Sequence, residues 1–125
     1  MIVFTYRAGN SVSNIGQMTK EGLDRPAYII DWSDGLPTGL TINTVATVAL
    51  DATGATVTSN CINTTVNTTA QTLVSMLTCG ASTGTAAAPD GARFRLRTTA
   101  TLTTTTDVLI YDVFVYVSSK AYLPA

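Results

Sequence analysis

"YIIDWSDGLPTG", residues 28–39, is the stretch on which the reading of this chain turns. Together with Ala27, its first half alternates. Tyr28, Ile30 and Trp32 fall on one face of an extended segment and Ala27, Ile29 and Asp31 on the other, since successive side chains of a strand point to opposite sides. Its second half ends the strand: Gly35 and Gly39 permit positive φ, and Pro37 holds Leu36 extended. Trp32 is the single tryptophan. It follows Tyr28 and Ile30 on the inward face, so its ring is expected to close the end of a core with the indole N–H near a partner. Asp31 and Asp34 flank it and organise the turn by accepting nearby backbone N–H groups. The sharper alternative, an exposed sugar-binding indole, usually calls for a second aromatic, and none is near in sequence.

The same alternation extends outward. In "ARFRLRTTATLT", residues 92–103, Phe94, Leu96 and Leu102 point in while Arg93, Arg95 and Arg97 point out. "LTINTVATVALDATGATVTSN", residues 40–60, reads as a hairpin with Ile42, Ala46, Val48 and Leu50 on one face, a turn at Asp51–Gly54, and a second strand over 55–60. "TLVSMLTC", residues 72–79, is a short apolar strand, and "GASTGTAAAPDG", residues 80–91, a loop of small residues. "TTTD", residues 104–107, turns the chain into "VLIYDVFVYV", residues 108–117. No helix of useful length is expected. The pattern predicts an all-β fold, an immunoglobulin-like antiparallel β-sandwich of about seven strands. Residues 1–22 contain a short strand and then a segment without periodicity. They read as an extended N-terminal arm, with residues 23–125 as the sandwich domain.

Composition agrees with that class. The 125 residues suit one domain, 46% are hydrophobic and only 12% charged, and threonine dominates the polar residues. The net charge of −1 supplies no electrostatic footprint for nucleic acid or an anionic membrane. No apolar run approaches the roughly 18 residues of a membrane span. The apolar start is too short for a signal peptide, so manufacture and use in a cytoplasm are expected. Cys61 and Cys79 fit no metal spacing and are expected to be reduced, packed thiols.

Candidate chemistry is sparse. The chain has no histidine, which removes the commonest general base and metal ligand and any Cys–His or Ser–His pair. Asp31 and Asp34 fail the calcium-loop pattern, because Gly35 comes one position early and Ile42 stands where the bidentate glutamate belongs. Two aspartates at one strand end make a poor glycosidase dyad. "RFRLR" places three cations on one face; single-stranded nucleic acid would want aromatics between them, and none lie on that strand face. Pairing of these arginines with carboxylates on a solvated or inter-subunit face is the plainer reading. Asn63 and Asn67 begin glycosylation-like triplets that are chance matches without a secretory signal. No catalytic residue, metal or cofactor is expected.

The segment "AYIIDWSDGL" resembles the signature of a family of small immunoglobulin-like virion proteins of tailed bacteriophages, of the fibre–tail adaptor type. Tyr28, Ile30, Asp31, Trp32, Ser33, Asp34 and Leu36 match it, and Gly35 stands where members often have a second tryptophan. The resemblance spans about Lys20 to Val117 and is specific only in the tryptophan segment. It implies a non-enzymatic structural protein of the virion, assembled in the host cytoplasm. Such a protein would join tail fibres to the tail or neck. Its partners would be other virion proteins (tail tube or nozzle, fibre) and further copies around a symmetry axis, with no nucleic acid or membrane. A capsid decoration protein and a carbohydrate-binding module for host attachment are the alternatives. One face of the last strand must fill the core, and the other is too apolar to stand in water. Ile110, Phe114 and Tyr116, with Ile2, Phe4 and Tyr6 of the arm, are therefore the expected assembly surface; the arm's "MIVFT" or a neighbouring subunit is expected to cover the exposed face.

Overall fold

Extended, threonine-rich and β-branched segments become strands throughout the described residues. The computed structural model describes residues 1–8, 14–80, 86–103 and 107–118. Within them run β1 (Ile2–Thr5), β2 (Ile15–Lys20), β3 (Ala27–Asp31), β4 (Ile42–Asp51), a one-turn helix α1 (Thr58–Cys61), β5 (Ile62–Asn67), β6 (Gln71–Met76), β7 (Arg93–Leu102) and β8 (Val108–Val117). The all-β expectation holds. The strands form two sheets of four, in the orders β1-β3-β6-β5 and β2-β8-β7-β4. Parts of the expected 80–91 loop and of the 104–107 turn lie outside the described residues.

Neither sheet is purely antiparallel. β1 runs parallel to β3, and β2 parallel to β8, while every other pairing between strands is antiparallel. Residues 1–22, expected as an arm, thus supply an edge strand to each sheet. Side chains fix them there. The Phe4 ring lies 5.5 Å from that of Tyr28, nearly perpendicular to it, and 5.8 Å from that of Tyr111. Gly16 in β2 leaves room for this ring, which a methyl group at position 16 would strike. Lys20 is almost fully buried at the end of β2, where its ammonium donates to the carbonyls of Glu21 (2.7 Å) and Gly22 (3.2 Å). Burial lowers its proton affinity, and the nearby Asp24 and Glu21 carboxylates act against that.

β4 overturns two expectations. Its register against β7 shifts between Ile42 and Thr44. A one-residue irregularity moves every later side chain to the other face. Ile42 faces the core, but beyond the shift Thr47 and Ala49 are buried while Ala46 and Val48 are exposed. The expected partner strand over 55–60 is also replaced. After the turn, where Gly54 adopts φ 88°, a single bridge joins Leu50 to Thr56 and the chain enters α1. The Thr58 hydroxyl accepts the Ala49 amide at 3.1 Å, a side-chain bond that competes with a continuing ladder.

The core is one cluster drawn from both sheets. Tyr28, Ile30, Trp32, Val74 and Met76 come from the first, and Leu96, Ala100, Val113, Val115 and Val117 from the second. Each fully buried aliphatic side chain contributes about 1.5–3 kcal/mol relative to exposure. The strict alternation of β7 delivers Phe94, Leu96 and Leu102 inward as expected.

Cys61 and Cys79 form a disulfide, with Cα atoms 4.3 Å apart and both residues buried. The expectation of reduced thiols is corrected. The β5–β6 pairing continues past its strand ends: the Leu77 amide donates to Cys61 at 2.8 Å and the Cys79 amide to Asn60 at 3.0 Å. Residues 18 apart in the chain thereby become cross-strand neighbours. Replacing both cysteines with serine is expected to cost about 3 kcal/mol, the value for closing a loop of this size. Chemical denaturation measures the cost. Thiol titration in denaturant without reductant should detect none in the unmodified protein; two titratable thiols would contradict the bond.

Candidate assembly surface

Trp32 is fully buried at the end of β3, and its Nε1–H donates to the Thr72 hydroxyl of β6 at 2.8 Å. Asp31 beside it makes the expected turn contact: its Oδ1 accepts the Ser33 amide at 2.9 Å and the Ser33 hydroxyl at 2.6 Å. These bonds hold its carboxyl below the usual range, against a small opposing effect of burial. Asp34 reaches further and accepts the Ala8 amide at 2.9 Å. Tyr6 follows β1 and covers the corner, its ring 5.6 Å from that of Trp32. A side chain on Gly35 would meet the Tyr6 ring at 2.5 Å and Leu109 at 3.0 Å. The aromatic beside Trp32 therefore comes from residue 6, not from nearby sequence, and it seals the indole into the interior. An exposed sugar platform at Trp32 is excluded by this burial.

The core also holds hydroxyls. Thr47 and Thr98 bond to each other at 2.8 Å across β4 and β7. Tyr28 is fully buried, and its hydroxyl finds no partner at full hydrogen-bonding geometry. Burial raises its proton affinity, and the Thr98 side chain acts against this. Burial raises that of Tyr111 too. Because the folded protein holds these protons more tightly than the unfolded chain, their contribution to stability is complete below the ordinary phenol value of 10.0 and falls as pH rises above it. Tyr28→Phe is expected to leave neutral-pH stability within about 1 kcal/mol of the parent and to reduce the loss above that pH. Urea unfolding across the alkaline range checks both.

The expected assembly residues divide. Phe4 and Tyr6 pack against the core, and Ile2 is 45% exposed on the edge strand of the first sheet. Ile110, Phe114 and Tyr116 are 38%, 39% and 44% exposed on the outer face of β8. "MIVFT" does not cover this face, since β1 belongs to the other sheet.

The β7–β8 register arranges this surface. Arg93 lies opposite Tyr116, Arg95 opposite Phe114, and Arg97 opposite Asp112. Arg97 grips Asp112 with Nε at 2.8 Å and Nη2 at 3.0 Å, and Arg95 adds Nη2 at 3.2 Å. The charged bond raises the proton affinity of Arg97. Two guanidiniums thus share one buried carboxylate, the arginine–carboxylate pairing expected from the sequence. The Arg93 guanidinium stands 5.6 Å from the centre of the Tyr116 ring, a cation–π contact. The aromatics missing from β7 are supplied by β8. The signal was present in the parity of the two strands, but it needed their register to be read.

The other sheet has an apolar row of its own. Val3, Ile29, Leu73 and Val66 lie directly across β1, β3, β6 and β5 on the outer face. Among the described residues, no three of histidine, cysteine, aspartate and glutamate gather to hold a metal ion. Compared with family models, curated proteins and solved structures, the chain matches none.

Proposed function

We propose that this chain is a non-enzymatic structural protein of a tailed-phage virion, an adaptor between tail fibres and the tail or neck. The observation that carries the reading is the outer face of β8. A ten-residue strand leaves Val108, Ile110, Phe114 and Tyr116 uncovered around a single arginine-bound carboxylate. Exposed large apolar side chains gathered on one strand face mark an interaction site. The resemblance around Trp32 points the same way, and the Tyr6 ring fills the space beside Gly35 where members of that family often carry a second tryptophan.

We read the sandwich itself as immunoglobulin-like. The sheet orders β1-β3-β6-β5 and β2-β8-β7-β4 correspond to the A-B-E-D and C-F-G sheets of that architecture, with β2 beside the last strand. The parallel pairing of β1 with β3 is a departure from it.

Quantitative mass spectrometry of purified particles tests the function. An adaptor is expected at about a dozen copies, as for rings of symmetric subunits. Hundreds of copies would make it a capsid decoration protein, and absence from particles would overturn the reading.

A further inference from the structure

The outer face of the second sheet is not electrically neutral. Arg93, Arg95 and Arg97 stand there against Asp112. Arg97 holds Asp112 with two bonds, and Arg95 shares one oxygen of it. Arg95 Nε is buried without a hydrogen-bond partner. Among the described residues, Arg93 has no carboxylate within ion-pair distance. Two grooves, of about 430 and 440 Å³, share Arg93 and Phe114 in their walls. Gln17 and Tyr116 bound the first, and Leu50, Arg95 and Asp51 the second, where the Asp51 carboxylate faces its own turn, accepting from Thr53 and Ala55. Both grooves therefore set the Arg93 guanidinium, which no described carboxylate holds, beside the Phe114 ring.

We propose that this face docks an extended segment of a partner protein in which an aspartate or glutamate stands two residues from an apolar side chain, so that both point to the same side. The carboxylate meets Arg93 and Arg95, where planar guanidiniums offer paired donors. The apolar side chain packs on Phe114 and Tyr116. The inference rests on reading this face as an assembly surface and adds the chemistry of what covers it. A second copy placed face to face would set arginines against arginines, which like-charge repulsion opposes. Single-stranded nucleic acid would use the same cations and rings, but the chain has seven basic residues against eight acidic ones and lacks the general phosphate attraction such binding requires.

The test is an amide-shift titration of the isotopically labelled full chain with three probes: an Asp–Leu decapeptide in which Asp and Leu occupy alternate odd positions with Thr between them, its Lys–Leu counterpart, and a twelve-nucleotide oligo(dT). The Asp–Leu peptide should shift amides of β7 and β8, weaken as salt is raised, and bind about tenfold less tightly to Arg93→Glu. The Lys–Leu peptide and oligo(dT) should leave those amides unmoved. Arg93→Lys, which keeps the charge and loses the fork, should bind between the two. No response to the Asp–Leu peptide, equal response to both peptides, or tighter binding of oligo(dT) overturns the proposal. So does a concentration-dependent dimer that Phe114→Asp abolishes. Because the assay needs no particle, its failure is separable from failure of the virion reading.

Discussion

Trp32→Ala is expected to lower stability by about 3–5 kcal/mol, the range for deleting a buried aromatic. Three losses combine at this one position. The indole is fully buried, so its removal leaves a cavity at the end of the core. The Thr72 hydroxyl, itself fully buried, loses the Nε1–H it accepts, and a stranded buried polar group is costly. Tyr6 loses the ring that holds it over Gly35. Trp32→Phe should recover part of the apolar contribution but not the hydrogen bond, and so fall between. Urea denaturation of the three proteins decides the matter. A cost near zero for the alanine variant would mean that the indole does not lie in the core.

Deleting residues 1–20 is expected to abolish folding. The sequence suggests an arm that anchors the protein in its assembly and whose loss would leave the rest folded, whereas β1 and β2 are paired within the two sheets. The deletion removes the edge strand of each sheet, uncovers Tyr28 and Tyr111 where Phe4 packs, and takes away Met18 and the buried Lys20. Met18 and the partly buried Phe4 and Tyr6, at up to about 1.5–3 kcal/mol each, reach the lower part of the roughly 5–15 kcal/mol that keep a domain folded, and the two lost strand pairings add to that. Circular dichroism of the truncated chain should show no cooperative thermal transition. A native near-ultraviolet spectrum would restore the arm as a separate element.

The contrast between these regions shows what the sequence can and cannot convey. β8, apolar on both faces, was legible only as a strand. β3 and β7 were legible in full because their alternation is unbroken, so parity alone assigns Trp32 and Leu96 inward. β4 was not, because the irregularity at Ile42–Thr44 reverses parity without leaving a glycine or proline to mark it. β1 was legible as a short strand but not its sheet, and β2 was not legible, because parallel pairing depends on distant partners rather than on a local turn. The same limit hid the disulfide: Cys61 and Cys79 meet only once β5 and β6 are in register. On the candidate surface, the arginines and the aromatics were each visible as sequence. Their opposition, Arg93 to Tyr116 and Arg95 to Phe114, is a property of the paired strands.

The central claim is that the protein works by assembly through the outer face of β8. Incorporation of Phe114→Asp into particles, compared with the unmodified protein, tests it most directly. Phe114 is 39% exposed, so the substitution should leave the near-ultraviolet circular dichroism unchanged and the melting transition cooperative. The account expects this folded variant to be missing from purified particles that contain the unmodified protein. Incorporation of the variant at the unmodified level would contradict it.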